Sequence, residues 1–512
     1  MLELSLVFIA SFLLSVVLTP LVRQFAIRFG IVDHPDGHRK LHGRVIARAG
    51  GTAVLFSVLI VGGIAATSFD LSLLEITHIT PYLALLSAMV GIWLLGLADD
   101  IWTLRGRQKL LGQTVLAAML VLAGFKIGSL QIFGNQIELG LLAIPLSILW
   151  LLMTTNALNL IDGSDGLCST LGAVICGALG VLASVNHNFA ESVIAFAFCG
   201  ALIGFLVFNF PPASIFLGDS GSLLVGMVTG ALAIRCSLKG PATVAFLAPL
   251  AILSLPLLDS CMAIIRRKLT GRSIYTTDRA HMHHTLKNRG LGDRSLLVIV
   301  AVLSLITASG ALAGQIFGRD WIAPLSVLVV FAMLVTTKAF GYAEVVLMMR
   351  KASQFAGSML QPVEGIDSGR ERTVHLQGTR QWESTWQSLV EFADTEGLCK
   401  VHMDLNVPWL EEGFHGTWHR LKMPDRAERW TASLPLHFSG RIAGRIDLAG
   451  PTESGDSIGV IGKTIEFVEE LIPQIELVLS PPLVLPEASR PTDSESLESP
   501  QLAVPGVPTL RG

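Results

Sequence analysis

The chain has 512 residues, 51% of them hydrophobic and only 15% charged, with a formal net charge of −3 and a mean hydropathy of +0.60. Soluble domains carry roughly 25% charged residues, so a wholly water-soluble protein is excluded. The near-neutral balance gives no basis for nucleic-acid binding, and the six cysteines, without paired spacing, read as small buried hydrophobes.

From residue 1 to about 345, long apolar runs alternate with short polar loops, and the composition turns polar after Arg350. The expected fold is an all-α polytopic membrane domain followed by a smaller soluble one. Runs near the spanning length of about 20 residues fall at 2–22, 47–67, 81–98, 109–125, 139–156, 168–186, 189–208, 217–236, 242–264, 296–314 and 320–340, which makes about eleven. The first run lacks a basic n-region and a small-residue cleavage site, so it is expected to stay as a span.

Lysine and arginine set the orientation. The loops after spans 1, 3 and 9 hold Arg23, Arg28, Arg39, Lys40, Arg44 and Arg48, then Arg105, Arg107 and Lys109, then a basic stretch from Arg266 to Arg294. The opposite loops offer only Lys126, Arg235, Lys239 and Arg319. By the positive-inside rule the odd loops and the C-terminal domain face the cytoplasm.

Five polar clusters follow spans 1, 3, 5, 7 and 9, all on that one face. They are Asp33–His42 ending in Arg48 and Gly50-Gly51; Asp99-Asp100 running on to Lys109–Gln113; Asn156–Leu167; Asn209–Ser222; and Asp278–His284. Asn and Asp without nearby Lys or Arg offer hard oxygen ligands suited to Mg²⁺, while Arg suits bidentate phosphate contact. Gly50-Gly51, Gly218 and Gly221 permit close backbone approach. His281, His283 and His284 can bind phosphate or move protons.

Each cluster has a plainer reading. Asp99-Asp100 could be a solvated helix cap, His-x-His-His a surface or transition-metal feature, and Arg266–Lys268 a topology anchor. Gly218–Ser222 lacks the Gly-x-Ser-x-Gly spacing of a nucleophile elbow. Their joint occurrence on one face points to phosphoryl transfer at a membrane surface.

At these residues the first 345 positions resemble the polyprenyl-phosphate N-acetylhexosamine-1-phosphate transferases of glycosyltransferase family 4. The likeness is nearest to bacterial undecaprenyl-phosphate N-acetylglucosamine-1-phosphate transferases that begin envelope polysaccharides such as O-antigen. The resemblance implies transfer of a sugar phosphate from a UDP-N-acetylhexosamine to undecaprenyl phosphate with release of UMP, aided by Mg²⁺, with Mn²⁺ as the alternative cation. It implies Asn159 and Asp219 as metal ligands, and Asp99 and Asp100 beside the lipid phosphate. Asp162, Asp165 and Phe216 would hold the nucleotide, and Arg279, His281, His283 and His284 would meet the diphosphate or sugar. Lys40, Arg44 and Arg48 would contact phosphate. Two departures are Thr103, where many members carry a further acid, and Ala47, where a proline is expected.

Residues 346–372 read as a linker, 373–480 as a soluble cytoplasmic α+β domain outside the resemblance, and 481–512, rich in Pro, Ser and Glu, as a disordered tail. Trp382 to Phe392 suits an amphipathic helix, Lys400–Leu405 and Arg441–Leu448 alternate like strands, and a helix is expected over about 459–479. His402, Asp404, His415 and His419 are a weak metal-site candidate. A homodimer, and a partner or ligand for this domain, stay open. A phospho-N-acetylmuramoyl-pentapeptide transferase is the nearest alternative activity; an ion-coupled transporter and an inactive membrane scaffold are alternatives of other classes, and the chain shows no repeat of the transporter kind.

Overall fold

A computed structural model describes residues 2–33, 45–68, 76–133, 135–240, 243–269, 281–360, 370–377, 380–407, 410, 412–420, 423–425, 428–438, 440–452 and 457–479. Lys40, Arg44, Arg279 and the expected tail 481–512 lie outside the described residues.

The first half of the membrane part comprises α1 (Leu2–Arg28), β1 (Val32–Asp33), β2 (Ile46–Arg48), α2 (Gly50–Ser68), α3 (Ile76–Trp102), α4 (Gly106–Leu122), β3 (Ser129–Ile132), β4 (Asn135–Glu138), α5 (Ala143–Ile161) and α6 (Leu167–Val185). There follow α7 (Phe189–Asn209), β5 (Ile215–Phe216), α8 (Gly218–Cys236), β6 (Leu238–Gly240), β7 (Thr243–Ala245), α9 (Leu247–Ile252), α10 (Ser254–Leu269), α11 (Met282–Lys287), α12 (Asp293–Ile316), α13 (Ile322–Thr336) and α14 (Tyr342–Leu360).

Among the described residues seven helices are long and apolar enough to cross a membrane, at α1, α2, α3, α5, α6, α7 and α12. The other four of the eleven expected spans coincide with helices that fall short for identifiable reasons. The helices α4 and α13 have only 17 and 15 residues. The 242–264 run is broken into α9 and α10 just before Pro256, which cannot donate to the preceding turn. Helix α8 is less apolar because it is wrapped by protein: nearly every residue is buried. Its Gly226 and Gly230 lie against α5, where an added Cβ would come within 2.6 Å of Thr155 Cα and 2.1 Å of Thr154 Oγ1. Small residues at such an interface let two backbones approach. By contrast Leu6, Leu13, Val17 and Leu21 on α1 are exposed, as a lipid-facing stripe requires.

The membrane part is not purely helical. A three-stranded sheet, in order β1-β2-β5, underlies the polar loops, and a four-stranded sheet, in order β4-β3-β7-β6, joins the connections at the opposite helix ends. These strands have two to four residues each, below the length at which alternation is visible in a sequence.

The C-terminal part has its own core. It contains β8 (Arg370–Gln377), α15 (Glu383–Thr395), β9 (Lys400–Val407), β10 (Glu412–His419), β11 (Arg429–Phe438), β12 (Arg441–Pro451) and α16 (Ser457–Leu479). The strands form one antiparallel sheet in order β11-β12-β9-β10-β8. Val401, Met403 and Leu405 alternate into a core with Trp382, Trp386 and Leu471. Residues 346–360 of the expected linker are helical, within α14. His402 bonds Asp447 at 2.9 Å and approaches His415 at 3.3 Å, and His415 lies 3.6 Å from Asp404, whereas His419 turns away to donate to the Arg420 carbonyl, so the four residues do not gather as one ligand set.

Candidate active site

The floor of the site is made where α3 ends and α8 begins. Asp100 Oδ1 accepts the N–H of Asp219 at 2.9 Å and Oδ2 accepts that of Ser220 at 3.0 Å. Asp100 thus satisfies the first free N–H groups of α8, a cap supplied from another helix. The turn into α8 requires Gly218, which has φ 73° and whose missing Cβ would sit 2.7 Å from Asp100 Oδ2. Gly51 and Gly96 bring α2 and α3 onto the same turn: a Cβ on Gly51 would lie 2.3 Å from Gly221 N, and one on Gly96 2.4 Å from Asp219 O. Of the glycines singled out in the sequence, Gly51 thus admits neighbouring backbone and Gly218 the Asp100 carboxylate.

On this floor four side chains from four helices meet. Lys109 Nζ lies 2.8 Å from Asp99 Oδ2, 3.1 Å from Asp219 Oδ2 and 3.3 Å from Asn159 Oδ1. Asn159 Nδ2 donates to Asp219 Oδ1 at 2.6 Å and to Ser222 Oγ at 2.8 Å. Asp99 Oδ1 also accepts the Leu104 N–H at 2.7 Å. Three oxygens converge on one cation, a donor set of the hard kind that Mg²⁺ takes. Among the described residues no group of three or more His, Cys, Asp or Glu is placed to hold a metal ion.

Arg48 stands at the rim, 3.4 Å from Asp100 and 3.5 Å from Asp33. The parallel pairing of β2 with β5 sets Arg48 beside Phe216. Asp162 closes α5. Burial, then the carboxylates of Asp219 and Asp100, push its carboxyl well above the usual range, with Arg48 opposing them. Asp165 Oδ2 accepts the Ala213 N–H at 2.9 Å, tying the third polar loop to the fourth.

The histidines approach from the other side. His281 Nδ1 lies 2.8 Å from Asp259 Oδ2, and its ring stacks on His283 at 6.0 Å and 8°. His283 and His284 are 4.3 Å apart. A Cβ on Gly163 would fall 2.7 Å from His283 Nε2, so this triplet abuts the loop that carries Asp162. Burial, with His284 beside it, pulls His283 down to about 3, which keeps the ring neutral near neutral pH.

Of the residues singled out in the sequence, Asp99, Asp100, Asn159 and Asp219 are joined by direct bonds to each other, to Lys109 or to the α8 backbone, with Arg48 against Asp100. Phe216 and Asp162 border them, and Asp165 has one oxygen engaged in loop bracing. The central Lys109 falls within the second polar cluster but takes no site role from the sequence, because a lysine heading an apolar run reads as a topology charge. Ser222 and Asp259 were also missed; Asp259 lies inside an apolar run, where an acid is itself a functional signal.

The family described as glycosyl transferase family 4 matches residues 82–237. A Bacillus subtilis protein named as a probable undecaprenyl-phosphate N-acetylglucosaminyl 1-phosphate transferase is 32% identical over 337 residues, covering 65% of this chain and 90% of that relative. A Mycobacterium tuberculosis decaprenyl-phosphate N-acetylglucosaminephosphotransferase is 32% identical over 361 residues, 65% of this chain and 88% of the relative. A phospho-N-acetylmuramoyl-pentapeptide-transferase from Halalkalibacterium halodurans is 31% identical over 301 residues, 55% of this chain and 89% of the relative.

Proposed function

Since this chain belongs to glycosyl transferase family 4, we propose that it transfers N-acetylhexosamine-1-phosphate, GlcNAc-1-phosphate first among the candidates, from a UDP-sugar to a polyprenyl phosphate and releases UMP. The bacterial relatives support undecaprenyl phosphate as the acceptor and the start of an envelope polysaccharide as the setting. The Lys and Arg distribution supports a site on the cytoplasmic face of the inner membrane. The observation that carries the reading is the convergence of Asp99, Asn159 and Asp219 on Lys109, beside Arg48. The acids Asp99, Asp100 and Asp219 gather with Lys109 where α3 ends and α8 begins, which suits surface chemistry better than transport, which needs polar groups at the midplane.

An oxygen of the lipid phosphate attacks the sugar-bearing β-phosphorus; the anhydride bond to the α-phosphate breaks, and its electron pair leaves with UMP. The lipid phosphate is already a competent nucleophile, so the protein's work is alignment and charge neutralisation. Lys109 and Arg48 are the cations on hand. Asp219 and Asn159, with Asp99 beside them, would hold Mg²⁺, which when bound neutralises the diphosphate. Both oxygens of Asp100 and both of Asp99 are engaged in bonds, which favours direct displacement over a covalent aspartyl route. Phe216 offers its ring to the uracil, Asp162 its carboxyl to the nucleotide, and His281 and His284 face the diphosphate.

The test is the purified full chain in detergent with UDP-GlcNAc, undecaprenyl phosphate and Mg²⁺, following UMP. Release with UDP-GlcNAc is expected. Release only with UDP-N-acetylmuramoyl-pentapeptide would move the protein to the other branch, and no release with any UDP-N-acetylhexosamine from folded protein would overturn the reading.

A further inference from the structure

Asp259 is an acid in the interior of α10, and only 1% of its surface is exposed. Burying a carboxylate is costly unless its oxygens are bonded. Here both oxygens are used on one target: Oδ2 lies 2.8 Å from His281 Nδ1, and Oδ1 accepts the Met282 N–H at 2.7 Å. The second bond fixes where α11 starts. A cap would need no more than that one bond. An ionisable group reaching the imbalanced side of an imidazole does something further. A carboxylate opposite Nδ1 favours the tautomer that carries the proton there and leaves Nε2 as the unprotonated nitrogen, as a carboxylate partner does for working histidines elsewhere.

The contacts run on into the site. The His281 ring stacks on His283, and His283 Nε2 fills the space that a side chain at Gly163 would need, next to Asp162. The α10 helix is itself held: Arg266, two turns further on, forms a buried ion pair with Glu344 of α14. Asp259 therefore stands on a fixed helix and passes its position to the histidine triplet.

We propose that Asp259 is a positioning residue for the transfer reaction, acting through His281 by fixing its orientation and tautomer. The inference rests on the transferase reading above.

The experiment is a double-mutant cycle in the full chain. Asp259→Asn keeps an acceptor for the Met282 N–H but removes the carboxylate from His281; kcat for UMP release is expected to fall roughly 10- to 100-fold, with KM for the UDP-sugar little changed. In a His281→Gln background the same change is expected to cost nothing more. Costs that multiply would assign Asp259 a structural role only and overturn the proposal. Nitrogen-15 spectra of histidine-labelled wild-type protein, with His281 assigned from the His281→Gln variant, read the pair without any turnover. A proton resident on Nδ1 is expected, and an unprotonated Nδ1 would overturn the proposal even if Asp259→Asn fails to fold. Should the wild-type protein release no UMP, the transferase reading fails while the spectra still report on the Asp259–His281 pair.

Discussion

Asp100 and Asp219 stand 119 positions apart in the chain, and the carboxylate of the first receives the backbone N–H of the second at 2.9 Å. One acid thereby sets the position of the other, because the turn it caps is the turn that presents Asp219. Asp100→Ala leaves two N–H groups without their acceptor, each costing about 1–3 kcal/mol. Asp100→Asn retains one acceptor and is expected to lose less. Thermal midpoints in detergent should rank wild type above Asn above Ala, and equal midpoints would remove the capping role.

Lys109 is expected to be indispensable in two senses. Lys109→Met leaves Asp99 and Asp219 facing each other without their shared cation, which destabilises this part-buried cluster. Turnover should fall at least 100-fold, about 2.7 kcal/mol of barrier. Lys109→Arg should not rescue, since a planar fork cannot replace a compact ammonium among three oxygens. Full UMP release by Lys109→Arg would refute this.

Asp219→Asn is expected to lower UMP release in a way that excess Mg²⁺ only partly restores, because an amide supplies a weaker, uncharged oxygen. A metal titration with unchanged half-saturation would take Asp219 out of the metal role.

Two glycines of α2 form a matched pair. Gly51→Ala would drive a methyl to 2.3 Å from Gly221 N, whereas Gly62→Ala meets nothing within 4 Å. The first should destabilise by about 1–3 kcal/mol and depress activity with it. The second should be neutral or slightly stabilising, since alanine is the better helix former. Circular-dichroism melts of both variants decide the matter.

Acid should act on His283. Its folded value of about 3 lies below the ordinary 6.5, so between those limits the unfolded chain takes up a proton that the folded chain refuses. Stability is therefore withdrawn as pH falls through that window. Lowering the buffer from about pH 7 to about pH 5 should reduce the melting temperature of wild type more than that of His283→Phe. Equal reductions would show that the ring does not carry the effect.

The sequence discloses this molecule unevenly. The polar loops were legible because Asp, Asn and His at the ends of apolar runs violate the membrane pattern, and violations are visible without a structure. Strands β9 and β12 and helix α16 were legible because their periods are long enough to count. Lys109 was hidden by ambiguity: the same residue at the same place serves orientation or chemistry. Seven of the eleven expected spans are helices long and apolar enough to cross a membrane, and among the other four α8, packed on all sides, carries small and polar residues that lower its hydropathy. On the far side from the acids, Glu191 binds Arg235 at 2.8 Å and Tyr82 at 3.0 Å, a cluster that joins α7, α8 and α3. Its members are separated by 44 and 109 positions, so nothing local announces it.

The contacts of Gly51 and Gly96 with the first turn of α8 have an evolutionary corollary. Where main chain rests on main chain there is no side chain to exchange, and so no graded way to widen or reshape the floor. A side chain added at either glycine would unseat the floor, whereas side chains that stand above it can change without moving main chain. A lineage built on this scaffold can diversify the sugar it accepts while the phosphate chemistry beneath stays the same.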